Sequence, residues 1–280
     1  MSVIYKLSGI LLITLLAGCA TAVPTIDPVE VATRAKLTEL ANSTKRSPQN
    51  IARNQYRHPV ETLMFFGLRD NMTVVEVSPG SGAWYTEILG PMMRDTGTLY
   101  ASNYNPESEN ESSLKSAIKY NEKMIANPEM YDQIKQTVFE LPNITQLAPD
   151  GVADMVLTFR NSHGWYGADS EEIAMQAMYD ALKPGGILGL VQHRMNEDAI
   201  DEKTGSVGYI KPSIIIALAE SVGFELVASS EINANPLDTK DHPNGVWTLP
   251  PANSNKGLDP APYLAIGESD RMTLKFVKPN

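Results

Sequence analysis

Apolar positions along the chain fall into two alternating rhythms. Short β-branched runs stand at Thr73 to Val77, Thr98 to Ser102, Thr137 to Leu141, Ala153 to Phe159, Ile187 to Gln192, Phe224 to Glu231 and Met272 to Val277. Between them lie longer amphipathic stretches at Ala83 to Met93, Ser112 to Ala126, Glu171 to Leu182 and Pro212 to Val222. The short runs read as strands and the longer ones as helices. Strand, helix, strand repeated in this way buries both kinds of element in a parallel sheet with helices on both faces, so the expected class is α/β and doubly wound. Three further helices are expected ahead of the first strand. Asp27 and Pro28 cap one that carries Val31, Ala35 and Leu40, Ser47 and Pro48 start another that runs toward Tyr56, and Pro59 to Phe66 forms a third that stops at Gly67.

The last two strands are separated by about forty residues rich in Pro, Asn, Asp and Gly, with no helical period. A connection between neighbouring antiparallel strands needs only about two to five residues, so the excess calls for a role. His242, Trp247 and Tyr263 lie in this segment, and residues 233–270 are expected to form an ordered flap over the site. The chain thus divides into a leader, 1–18, a helical extension, 19–58, and one α/β domain, 59–280.

The leader carries one cation, Lys6, then an apolar run from Leu7 to Ala17 and small residues. That is the pattern of a secretion signal, and the run is too short for the roughly 20 residues of a membrane span. Leu16, Ala17, Gly18 and Cys19 resemble the lipobox of bacterial lipoproteins, and Cys19 is the single cysteine of the chain. Lipidation of Cys19 gives a protein anchored to the outer membrane, in contact with the membrane through the lipid alone. Ala20, Thr21 and Ala22 also form a site for ordinary signal peptidase, which would release a soluble periplasmic protein. With 23 Lys and Arg against 33 Asp and Glu, the formal charge is -10. Such a surface is a poor partner for nucleic acid or anionic lipid.

Glu76, Val77, Ser78, Pro79, Gly80, Ser81, Gly82, Ala83 and Trp84 form a strand end, a tight glycine turn and a helix start. In an open parallel sheet the ligand crevice lies at this carboxyl end. Glycines at 80 and 82 let the backbone approach a ligand with no Cβ in the way. A dinucleotide site wants a small residue at position 85, where Tyr85 stands, so nicotinamide and flavin dinucleotides are disfavoured. Gly80, Ser81 and Gly82 also lack the spacing of a serine-hydrolase nucleophile elbow.

The turn resembles the first motif of class I S-adenosylmethionine-dependent methyltransferases, with Glu76 as the acidic residue and Ser78 in place of the usual first glycine. Leu182, Lys183, Pro184, Gly185 and Gly186 leading into Ile187 to Val191 resemble the entry to the fifth strand of these enzymes, and Asp154 to Leu157 their fourth. The similarity runs from about Val60 to Lys278. It is closest to a group of exported bacterial proteins described as predicted methyltransferases, which share segments such as Tyr56 to Pro59 and Gly245 to Pro250. The resemblance implies a Rossmann-like sheet of seven strands with the last antiparallel. It also implies S-adenosylmethionine as cofactor, held by Glu76, Ser78, Gly80, Gly82 and Asn103. At Asn103 the family usually carries an acid that accepts both ribose hydroxyls; the neutral amide makes weaker hydrogen bonds.

Methyl transfer is an in-line displacement, so a base is needed only where the acceptor must lose a proton. His163 and His193 follow the fourth and fifth strands, at the edge where ligands sit. Arg160, Asn161, His163, His193 and Arg194 are therefore the candidate catalytic residues. Trp84, Tyr85, Trp165, His242 and Trp247 are the candidate substrate pocket, suited to an apolar or aromatic ligand. No two histidines stand in metal-ligand spacing, so no metal is expected. Two functions follow: a methyltransferase acting on a small or lipid-like acceptor at the cell envelope, or a non-catalytic periplasmic binding protein that keeps the fold. Fold alone does not separate them.

Overall fold

The computed structural model describes Met1, residues 27–200 and residues 207–280. The leader and Cys19 lie outside the described residues. The chain begins with α1 (Pro28–Ala41), α2 (Pro48–Ile51), α3 (Asn54–Arg57) and α4 (Pro59–Phe66). Asp27 caps α1 as expected, its Oδ1 accepting from Val29 N at 2.9 Å. The helix expected from Ser47 to Tyr56 is instead two single turns. Gly67, at φ 88°, ends α4 with its N–H on Leu63 and Met64 carbonyls, the left-handed stop that glycine adopts without a Cβ clash.

There follow β1 (Thr73–Val77), α5 (Thr86–Met93), β2 (Thr98–Asn103), α6 (Glu111–Ala126), α7 (Pro128–Tyr131), β3 (Lys135–Val138), β4 (Ala153–Phe159), α8 (Ser162–Gly167) and α9 (Glu171–Ala181). The chain closes with β5 (Leu182–His193), α10 (Pro212–Ser221), β6 (Glu225–Ser230), β7 (Pro243–Val246), α11 (Ala261–Ile266) and β8 (Arg271–Val277). Seven strands form one sheet in the order β3-β2-β1-β4-β5-β8-β6. β8 runs antiparallel to both neighbours and the other six are parallel. The doubly wound, mostly parallel sheet with an antiparallel last strand is the one expected.

The period of two decides which face each residue serves. Val75 and Val77 of β1, Val156 of β4 and Leu188 and Leu190 of β5 pack with α9 and α10. Val74, Met155, Leu157 and Val191 point the other way, onto α1, α4 and α5. Leu37 and Ala41 of α1 belong to this second core, so the helical extension packs as part of the sheet's covering layer. α5 begins three residues later than the pattern suggested, because Ala83 takes φ 48° and the turn continues to Tyr85. The flap is not free of regular structure, since it contains β7 and the exposed single turn α11.

Candidate active site

The carboxyl ends of β1, β4 and β5 border a cavity of about 550 Å³, a volume typical of small-molecule sites. The turn after β1 lines it, and a Cβ on Gly80 or Gly82 would meet no atom within 4 Å. Gly80 sits at φ 66°, as its residue type allows, while Ser78 and Ala83 are held at φ 48°. That left-handed region strains residues with a side chain, which is why glycine suits position 78. The Gly82 carbonyl accepts from Asn50 Nδ2 at 3.2 Å and Lys123 Nζ at 3.0 Å. Trp84 Nε1 in turn donates to the Asn50 carbonyl at 3.0 Å. The helical extension and α6 therefore hold the turn in shape.

Below the turn Glu76 borders a small recess of the same wall. Its Oε2 accepts from Thr86 Oγ1 at 2.7 Å, and burial pushes its carboxyl up to about 7. Glu87 of α5 is buried too but fully partnered. Arg46 Nε lies 3.2 Å from it, Ser47 Oγ 2.5 Å, and Lys123 also donates to it. Burial opposes ionisation of Glu87, and these hydrogen bonds outweigh it and hold the carboxyl below its ordinary range.

Arg160, Asn161 and His163 line the wall after β4, and His193 lines it at the end of β5. Arg160 is held at φ 63°. Asn161 Nδ2 donates to the Val77 carbonyl at 2.8 Å, fixing this corner to β1. The rings of His163 and His193 have centroids 5.7 Å apart. Gln192 Nε2 lies 3.3 Å from His163 Nδ1 and 2.9 Å from the Gly208 carbonyl. The carbonyl requires an NH2 group there, so Nδ1 accepts and Nε2 carries the proton of the neutral ring. His193 Nδ1 pairs with Ser269 Oγ at 2.5 Å. Burial pulls His163 down to about 4, and burial together with His163, Arg160 and Arg271 pulls His193 well below its ordinary value. Both rings are neutral at pH 7.

Trp247 of the flap lies edge-on to His163, centroids 5.6 Å apart, and lines the cavity with Leu249, Pro250 and Pro251. The flap thus covers the site through Trp247. His242 does not take part. Its Nε2 lies 2.8 Å from Asp238, which also accepts from Tyr209 Oη and from the Asp270 backbone, so this histidine fastens the flap to its base. Arg194 is likewise spent on structure, forked onto Glu231 and Asp270, and these bonds raise its pKa further. Two of the three tryptophans, Trp84 and Trp247, line the cavity together. Trp84 also lies between Arg46 and Arg57 at 4.9 and 4.8 Å, whereas Trp165 packs against Phe139 with centroids 5.9 Å apart, outside the lining. Tyr85 stacks on Phe159 beneath the turn, centroids 3.5 Å apart. Asn103 is buried at the end of β2 beside the cavity-lining Tyr104, and both polar atoms of its side chain lack a partner.

The same cavity is lined by residues that sequence reasoning did not single out: Asn50, Arg53 and Arg57 from the extension, and Glu268 and Ser269 before β8. The spacing of Arg53 and Arg57 places them on one helical face, which was the one available signal. A larger depression of about 780 Å³ lies between the 145–150 segment, α9 and the end of α10. It sits away from the strand ends and carries neither histidine nor arginine, so the smaller cavity is the candidate site.

No family model and no curated protein matches the chain. Among solved structures, it resembles an S-adenosylmethionine-dependent methyltransferase from Aquifex aeolicus, with a TM-score of 0.53 and 14% identity over 88% of this chain and 98% of that one. It also resembles a putative sarcosine dimethylglycine methyltransferase from Galdieria sulphuraria, with a TM-score of 0.50 and 12% identity over 82% and 86%. A third is the cyclase SpnF, with a TM-score of 0.52 and 14% identity over 85% of each chain. The fold is that of the class I methyltransferases, and the cyclase demonstrates that this scaffold carries other reactions as well.

Proposed function

We propose that the chain is an S-adenosylmethionine-dependent methyltransferase acting on a small or lipid-like acceptor at the cell envelope. The observation that carries this reading is the open face of Gly80 and Gly82, which lines a 550 Å³ cavity at the carboxyl end of β1. The residues fit the cofactor. Gly80 and Gly82 leave room for its backbone-hugging part, and the unpartnered amide of Asn103 offers one donor and one acceptor where the fold receives a ribose. When bound, S-adenosylmethionine supplies a methyl group on a positively charged sulfur.

The chain's own groups align and shelter that exchange. Asn50 and Lys123 keep the Gly82 carbonyl out of the way of the ligand, and Asn161 locks the loop after β4 to the loop after β1. His163 and His193 are neutral. With Nδ1 of His163 taken by Gln192, its Nε2–H is a donor, and Nε2 of His193, across the ring from the Ser269 contact, is the nitrogen left to take a proton from the acceptor. Trp247 and the prolines beside it exclude water from the path. Calorimetry of the mature chain with S-adenosylmethionine and S-adenosylhomocysteine tests the reading, and saturable binding of both is expected. Gly82→Val fills the cradle with about 1–3 kcal/mol of steric conflict, so binding should weaken tenfold or more with the fold intact. Absence of binding by the unaltered chain would overturn the reading.

The envelope location rests on the leader and on Cys19. Intact-mass spectrometry of the membrane-extracted protein should find a diacylglycerol on Cys19. An unmodified amino terminus at Val23 would refute it.

A further inference from the structure

The cavity holds an excess of positive charge that its own carboxylate does not balance. Glu268, 4% exposed, receives Arg53 Nε at 2.5 Å, Arg57 Nε at 3.0 Å and Arg271 Nη1 at 3.2 Å. Burial resists its ionisation, yet Arg57, Arg271 and Arg53 hold the carboxyl down at about 2. A fourth guanidinium, that of Arg160, lines the same cavity and donates no side-chain hydrogen bond among the described residues. The other acid nearby, Asp270, is already committed to Arg194 and Lys240. Four guanidinium groups therefore share one carboxylate, in a protein whose overall charge is strongly negative.

The surplus also has unspent donors. Arg57 is 1% exposed, lines the cavity, and its Nη2 has no partner. Arg53 Nη2 and Arg271 Nε are buried and unpartnered as well. A buried donor on a charged group left without an acceptor is destabilising. Mere scaffolding does not account for this, since Glu268 has two oxygens and both are taken before Arg160 is reached. Burial, and after it Arg271 and Arg53, pulls Arg160 down to about 10 against the pull of Glu268.

The pole spans the cavity from the glycine turn to the histidines. Arg57 and Arg160 border the small recess beside Glu76, Ser78 and Pro79 as well as the main cavity, and Arg53 lines the main cavity with His163, His193 and Trp247. Arg160 follows β4, and Arg271 opens β8, paired in register with His193.

We propose that the pole formed by Arg53, Arg57 and Arg160 receives an oxyanion, a carboxylate or phosphate carried by the methyl acceptor. The inference rests on the methyltransferase reading and names the acceptor class. The anion caps the free guanidinium donors with charge-assisted hydrogen bonds. The rest of the acceptor is then held between Trp247 and the two histidines, with its nucleophilic atom toward the cradle of Gly80 and Gly82. A neutral apolar acceptor would leave the donors buried and unpaired.

The test is calorimetric titration of inorganic phosphate into the chain, alone and saturated with S-adenosylhomocysteine, at constant ionic strength set with chloride. Saturable phosphate binding is expected in both states, and Arg160→Met should weaken it tenfold or more. Arg53→Met, at the more exposed rim, provides the same readout should the first variant misfold. Phosphate binding that persists while S-adenosylhomocysteine fails to bind would refute the methyltransferase reading and leave the anion site standing. Competition between phosphate and S-adenosylhomocysteine, but not between phosphate and 5′-methylthioadenosine, would assign the pole to the cofactor's own carboxylate and overturn the proposal. Absence of saturable binding, or binding unchanged in both variants, would also overturn it.

Discussion

Glu76 gives the sharpest quantitative test of the site. It stands in β1 with 2% exposure, and Thr86 is its hydrogen-bond partner. Burial raises its carboxyl from an ordinary 4.5 to about 7. Between those values the folded chain keeps a proton that the unfolded chain has released. Stability therefore falls as pH rises through this window, and the loss is complete above pH 7. Each pH unit is worth ~1.4 kcal/mol, so the window amounts to about 3 kcal/mol. Glu76→Gln keeps the shape and an acceptor for Thr86 but carries no charge. Urea unfolding of both proteins at pH 4.5 and pH 8.5 should give similar stabilities at the lower pH. At the higher pH the variant should be the more stable by up to about 3 kcal/mol. Other titrating groups are common to both proteins and cancel in the comparison. A variant that is less stable by the same amount at both pH values would refute the reasoning, because Glu76 would then be ionised and partnered in the fold.

Glu87→Ala strands the guanidinium of Arg46, which is 1% exposed. Chemical denaturation should record a loss of about 3–5 kcal/mol, and a loss under 1 kcal/mol would refute a buried network there. Because the same network seats Ser47 and Lys123 beside the glycine turn, ligand affinity should fall as well. Trp247→Ala removes the flap's ring from the cavity wall. S-adenosylhomocysteine or acceptor binding should weaken about tenfold, ~1.4 kcal/mol, with little change in melting temperature, and unchanged affinity for both ligands would show that the flap does not close over them.

The sequence by itself determined the elements that depend on neighbours in the chain. Near-continuous apolar runs in β1, β4 and β5 selected strands with two buried faces, and Gly80 and Gly82 marked a turn that needs bare backbone. Asp27 and Gly67 marked helix ends. Each of these is a local matter of period, capping or φ, so a window of a dozen residues suffices to read it. The placement of His163 and His193 at the strand ends followed from the same pattern, because parallel strands carry their ligands at one edge.

Only the tertiary structure decided which charges are free. Arg194 and His242 read as available side chains, yet Asp270 and Asp238 consume them from 76 and four residues away. Nothing in the local sequence marks Arg53 and Arg57 as buried, yet they meet Glu268 across 215 and 211 residues. Trp84, Trp165 and Trp247 stand in three loops that the sequence groups together, and packing brings Trp84 and Trp247 to one cavity while Trp165 turns to Phe139. The physical reason is that charge pairing and burial depend on contacts between segments far apart in the chain. A buried arginine and an exposed one are the same letter until the fold places a carboxylate beside one of them.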